Sequence, residues 1–218
     1  MDSQAIRSSQ TPGALRKLLK LADDVPIVVL IGNVTPRKGH ESFIRAAELV
    51  IAKVPRVRFV IVGREVDPPI GSSFLAQMQT LVKERRLDEH VAFTGELTNA
   101  SRYLSDCNIL CMPTIPWGTN PGEGFGLVLL EAMAVGLPAV ATICGAPPEI
   151  IEHDVSGKLV PPGDSEAIAE AIVDLLTSDE RRESIGRAGQ KVACERFSAE
   201  NMARSMESVY QKVAAARL

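Results

Sequence analysis

PIVVLIGNVTPRKGHESFIRAAELVIAKVPRVRFVIVG, residues 26–63, places two short apolar runs on either side of one amphipathic stretch. The runs 27–32 (IVVLIG) and 58–63 (RFVIVG) are apolar without alternation, the pattern of strands covered on both faces of a sheet. Residues 40–53 between them carry the spacing of a helix. Outward from this unit the alternation continues. Short strands are expected at 91–95 (VAFTG), 108–113 (NILCMP) and 138–142 (PAVAT), with helical segments at 72–86, 98–105 and 124–135. Strands that each lead into a helix predict a doubly wound, Rossmann-like α/β domain with a parallel sheet. GKLVPPGD (157–164) reads as an edge strand ending in a Pro-Pro-Gly turn, and everything after Ser165 reads as helix. Residues 1–24 are expected to form a linker and a short helix, 25–196 the domain, and 197–218 a C-terminal helix.

Composition narrows the function classes. The 218 residues are enough for one or two domains, and the net charge of −3 comes without any block of Lys and Arg. Nucleic acid is therefore not the expected partner. Cys107, Cys111, Cys144 and Cys194 show no CxxC spacing and read as reduced thiols of a cytoplasmic protein. No signal peptide and no apolar run of about 18 residues stands in the sequence, which leaves peripheral membrane contact as the one expected kind. His40, His90 and His153 are scattered and read as surface or capping residues. With no DxD, HxxxH or Cys/His cluster, no metal or other cofactor is expected.

The second informative stretch is PTIPWGTNPGEGFGLVLLEAMAVGLP (113–138). A Pro- and Gly-rich loop becomes, at about Gly124, a helix that is apolar all round except for Glu131. Such a helix is expected to be buried, and a carboxylate inside it needs partners. Hydroxyl groups of a ligand would serve. The first N–H groups of a helix are unpaired and carry partial positive charge, which suits a phosphate. Glu123 and Glu131 are eight residues apart, roughly 12 Å of helical rise. They are too far apart for the paired carboxylates of glycoside hydrolysis and suit the two ends of one ligand.

The turn GNVTPRKGHE (32–41) offers Lys38 and Arg37 near a helix start. It is not a P-loop, because Arg37 stands where Gly is required and Gly39 where Ser or Thr is; GxGxxG is also missing. Lys38 is expected to face a phosphate. Arg37, its neighbour in what reads as an extended turn, is expected to point the other way.

EGFGLVLLE (123–131) and the following AMAVGLPAVAT resemble the E-x7-E signature of GT-B glycosyltransferases, in particular the retaining group 1, or family 4, enzymes. GNVTPRKG (32–39), FVIVG (59–63), VAFTGEL (91–97), CGAPPEII (144–151) and DVSGKLVPPGD (154–164) extend the resemblance, in family order, over about residues 25–215. The resemblance implies the C-terminal, donor-binding half of an enzyme that transfers a hexose from a nucleotide diphosphate sugar to an acceptor. By it, Glu131 holds the ribose hydroxyls, Glu123 contacts the donor sugar and Lys38 binds the diphosphate, so that Glu123 and Lys38 are the expected catalytic residues. Gly124, Phe125, Gly126 and Leu127 lie along sugar and phosphates, Gly32, Asn33 and Arg37 border the diphosphate, and Gly95 and Glu96 border the base. No metal is implied. The resemblance also implies an N-terminal, acceptor-binding domain as partner, without which this chain is expected to have little activity.

Two positions depart from the family pattern. Asn33 stands where an Arg is common, and the loop 113–122 is longer than usual and carries the only Trp. A nucleotide-sugar epimerase half-domain and a non-catalytic nucleotide-sugar-binding module are the alternative readings.

Overall fold

The computed structural model describes residues 1–66 and 73–215. Six strands form one sheet: β1 (Ile27–Ile31), β2 (Arg58–Val62), β3 (Val91–Gly95), β4 (Ile109–Met112), β5 (Ala139–Thr142) and β6 (Lys158–Val160). The order is β3-β2-β1-β4-β5-β6, and every pairing is parallel. This is the expected doubly wound sheet, and the strand at 157–164 lies at its edge as read. The order reverses between β1 and β4, and ligands of such sheets bind above that switch point, beyond the carboxyl ends of the strands.

Why these strands are apolar without alternation is visible in β1. Val28 and Leu30 face one core with Phe43, Ile44, Phe59 and Ile168, whereas Ile27 and Val29 face a second core with Leu110, Leu129, Leu130 and Met133. Both faces are buried, so both sets of side chains are apolar; each contributes about 1.5–3 kcal/mol by leaving water. The first core is closed by α3 (His40–Ile51), α4 (Phe74–Glu84) and α7 (Ser165–Thr177), and the second mainly by α5 (Leu127–Ala134) with α8 (Asp179–Arg196) packed on it. The short α6 (Pro147–Ile150) and the exposed α9 (Ala199–Ala215) complete the helices after β5. The expected helices at 72–86 and from Ser165 to the chain end reach into residues 67–72 and 216–218, which lie outside the described residues.

The N-terminal segment, read as a linker and a short helix, holds that helix and one more. It forms α1 (Ser3–Ser8) and α2 (Ala14–Leu19), and Leu15 of α2 is fully buried in the second core. Asp106 explains the docking: its carboxylate, itself buried, accepts from the N–H groups of Gly13, Leu15 and Arg16 at the start of α2. That cap answers three otherwise unpaired donors from 90 residues away. Residues 98–105, read as helix, form a 3-10 segment, Ala100–Asp106, entered through Asn99 in the left-handed conformation.

Candidate functional site

Two connections carry the site, one after each strand at the switch point. After β1 the chain turns through Gly32 and Asn33 into a 3-10 turn, Pro36–Lys38, and enters α3 at Gly39. Gly39 has φ 69°, and a Cβ there would stand 1.8 Å from the Pro113 carbonyl oxygen, so only glycine lets this turn meet the connection after β4. The two loops are then stitched together. The Ile115 N–H donates to the Arg37 carbonyl at 2.8 Å, and the Arg37 guanidinium donates to the Gly122 carbonyl at 3.2 Å.

The tight 3-10 turn changes what the sequence implied for Arg37. An extended turn would send neighbouring side chains to opposite sides, but a 3-10 turn advances only about a third of a revolution per residue. Arg37 and Lys38 accordingly line the same cleft. Lys38 runs along Gly32, and its Nζ donates to Glu123 Oε2 at 2.6 Å. The same oxygen accepts from the Thr114 hydroxyl at 3.4 Å and lies 4.0 Å from Arg37.

Glu123 is held by its backbone as well. Its N–H donates to the Cys144 carbonyl, its carbonyl accepts from Ala146, and Gly145 approaches so closely that a Cβ would strike Glu123. The helix does not begin beside it. Gly126 takes φ 77°, which an α-helix cannot include, and α5 starts at Leu127, three residues later than read. The intervening N–H groups of residues 124–128 donate to no backbone carbonyl among the described residues and form an open crown of donors.

α5 is not buried on every side as its composition implied. Leu129, Leu130, Ala132, Met133 and Ala134 are buried, whereas Leu127 and Glu131 stand on the cleft side. No described residue gives Glu131 a cation or hydrogen-bond donor. Burial therefore pushes its carboxyl above the usual carboxylate range.

The result is an open cleft of about 570 Å³ at the switch point. One wall is Gly32, Asn33, Arg37 and Lys38; another is Glu123, Phe125, Gly126, Leu127, Val128 and Glu131. Asn99, Ala100 and Ser101 make a third wall that sequence reasoning missed; the signal was the turn before the 3-10 segment, read instead as part of a helix. Gly124 stands in the same turn as the lining residues, whereas Gly95 and Glu96 do not line the cleft. Glu96 pairs with Arg64 at 2.8 Å on the exposed surface. Phe125 is half exposed at the rim, its ring edge-on to Phe197 at 6.3 Å, where α8 hands over to α9.

His40 also departs from expectation. It is fully buried rather than on the surface, with Nδ1 3.2 Å from the Thr35 carbonyl oxygen and Nε2 without a partner. Burial holds its pKa down at about 4, against the opposing pull of the Thr35 carbonyl.

Against known proteins, the family model for glycosyl transferases group 1 matches residues 14–192. The chain belongs to that family. Among curated relatives, this group 1 chain is 31% identical over 182 residues to a GDP-mannose-dependent alpha-(1-6)-phosphatidylinositol monomannoside mannosyltransferase of Mycobacterium tuberculosis, covering 81% of the chain and 45% of the relative. The chain spans about half the length of the curated relatives it matches. In structure it is similar to Anabaena Alr3699/HepE solved with UDP, at a TM-score of 0.85 and 23% identity over 97% of the chain and 56% of that protein. It is also similar to the C-terminal domain of the group 1 protein LpcC from Francisella tularensis, with a TM-score of 0.76 and 26% identity over 91% of the chain and 99% of that domain. The fold of this group 1 chain is the GT-B type of Rossmann-like domain. Among the described residues no helix is long and apolar enough to cross a membrane.

Proposed function

We propose that the chain is the donor-binding half of a retaining hexosyltransferase and that the cleft takes a nucleotide diphosphate sugar. The observation that carries this reading is the division of the cleft into two unlike ends. At one end Lys38, Arg37 and the open N–H groups of residues 124–128 offer positive charge and donors to a diphosphate. At the other, Glu131 waits with a half-buried carboxylate that no described residue satisfies. Ribose hydroxyls donating to it would relieve that desolvation. A single ligand with phosphates at one side of a polyhydroxylated ring answers both needs. The UDP in the Anabaena relative and the GDP-mannose dependence of the mycobacterial one support a nucleotide sugar as that ligand.

In this reading the residues act electrostatically. Lys38, Arg37 and the start of α5 meet the charge that develops on the departing diphosphate, already positioned before the bond breaks. Glu123 faces the sugar end, and no side chain is asked to form a covalent intermediate. Protein cations rather than a metal neutralise the phosphates, and a further, acceptor-binding domain supplies the rest of the reaction. A thermal-shift panel of UDP-, GDP- and ADP-hexoses tests the proposal: one base series should raise the melting temperature at millimolar concentration. If inorganic pyrophosphate shifted the chain as much as every sugar nucleotide, the cleft would be a bare anion site and the reading would fail.

A further inference from the structure

The cleft contains an anion of its own. Glu123 Oε2 sits 2.6 Å from Lys38 Nζ, with the two side chains only 13% and 17% exposed. The charges facing the cleft, Arg37 and Lys38 against Glu123 and Glu131, cancel. A site assembled only to attract a dianion would leave its lysine free. We infer that Glu123 is an internal counter-anion that holds Lys38 when the cleft is empty and makes the site favour a sugar-bearing diphosphate over a bare one. The inference rests on the nucleotide-sugar reading of the cleft and adds a basis for discrimination between donor and spent product.

The argument follows from what each ligand offers Glu123. A phosphate that takes Lys38 competes with the carboxylate, because one positive charge is then shared between two anions brought close together. The Glu123 backbone is fixed by Cys144 and Ala146, so the carboxylate can leave Lys38 only by turning its own side chain. The remaining partners are weak: the Thr114 hydroxyl is at 3.4 Å, and Arg37 is 4.0 Å away with its guanidinium engaged by the Gly122 carbonyl. A carboxylate left there without its cation is costly. A bare nucleoside diphosphate makes the position worse, since its terminal phosphate brings acceptors and more negative charge. A hexosyl diphosphate instead places hydroxyl donors just beyond the second phosphate, and these can replace Lys38 as partners of Glu123. Once the sugar has left, the donors are gone and Glu123 competes for Lys38 again, which loosens the spent diphosphate.

Calorimetry on the 218-residue chain and its Glu123→Gln variant, with one nucleoside diphosphate, its hexose derivative and inorganic pyrophosphate, tests this. Glutamine keeps the shape and the contact to Thr114 but removes the charge. The variant should bind pyrophosphate and the bare diphosphate about tenfold or more tightly than the unaltered chain, and the preference for the sugar-bearing form should narrow at least fivefold. In a Lys38→Gln background the same change should produce a smaller gain, because the competition for Lys38 is gone and only the repulsion between carboxylate and phosphate is left to remove. Unchanged or weaker binding of the bare diphosphate by folded Glu123→Gln overturns the inference. Should glutamine prevent folding, Glu123→Asp draws the carboxylate back from Lys38 and must shift the preference in the same direction. A gain for pyrophosphate with no sugar nucleotide bound by either protein would support the counter-anion and sink the nucleotide-sugar reading. Sugar-nucleotide binding without the gain would do the reverse.

Discussion

At the scale of single residues, the cleft separates charge type from charge placement. Glu131 is half buried with no cation beside it, so Glu131→Gln should leave thermal stability unchanged or slightly higher while weakening donor binding roughly ten- to a hundredfold, the value of charge-assisted hydrogen bonds to hydroxyls. Calorimetry and a melting curve on the same variant read the two effects separately. Lys38 and Arg37 line one wall, so both Lys38→Ala and Arg37→Ala should weaken nucleotide binding, Lys38 more because Arg37 is engaged by Gly122. The identities of Lys38, Glu123 and Glu131 as site residues were legible, because an isolated acid in an apolar helix and cations after a strand are unusual. The direction of Arg37 was not, since it depends on a 3-10 turn that Pro36 opens. Nor was the burial of His40, because an imidazole can be a surface or an interior group. Its depressed pKa has a consequence with a definite sign: above pH about 6.5 folded and unfolded chains are both neutral at this residue, and as pH falls toward about 4 only the unfolded chain takes the proton. Stability should therefore fall by up to about 1.4 kcal/mol per pH unit in that window from this residue alone. Denaturant titrations should show a shallower fall for His40→Gln.

At the scale of elements, the strands were readable because each is buried on two faces, and so were the starts of α3 and α7, whereas the start of α5 was not, because a left-handed glycine sets it. α5 begins after Gly126 rather than at Gly124, and that delay frees the donors that line the cleft. α2, the short helix expected within residues 1–24, is docked from far away in a manner the sequence did not show, because Asp106 accepts from its first turn. Asp106→Ala should cost about 1–3 kcal/mol in urea unfolding, since it strips a buried cap from three N–H groups. The same variant should increase hydrogen exchange in residues 13–19 more than in β1. An unaltered exchange pattern there would mean that Leu15 alone docks the helix.

At the scale of the whole molecule, the cleft sits where the sheet reverses its strand order, so the two loops that build it come from strands far apart in the chain. Its electrostatic design yields a direct expectation: if side chains and the start of α5 meet the diphosphate, excess EDTA should change donor affinity less than twofold, and calorimetry with and without added Mg²⁺ decides the matter. The placement of β1 between β2 and β4 has a further consequence, for the order in which the chain folds. Val29 pairs with Val60 across a single crossover, but Val28 pairs with Ile109 only after α4, β3 and the 3-10 segment Ala100–Asp106 have also been laid down. Every parallel rung must wait for its crossover to close, which makes such sheets slow relative to helical bundles. Pulse-labelled exchange during refolding should protect β1, β2 and α3 first and β4 later, so the cleft, which needs both halves, is the last feature to acquire its shape.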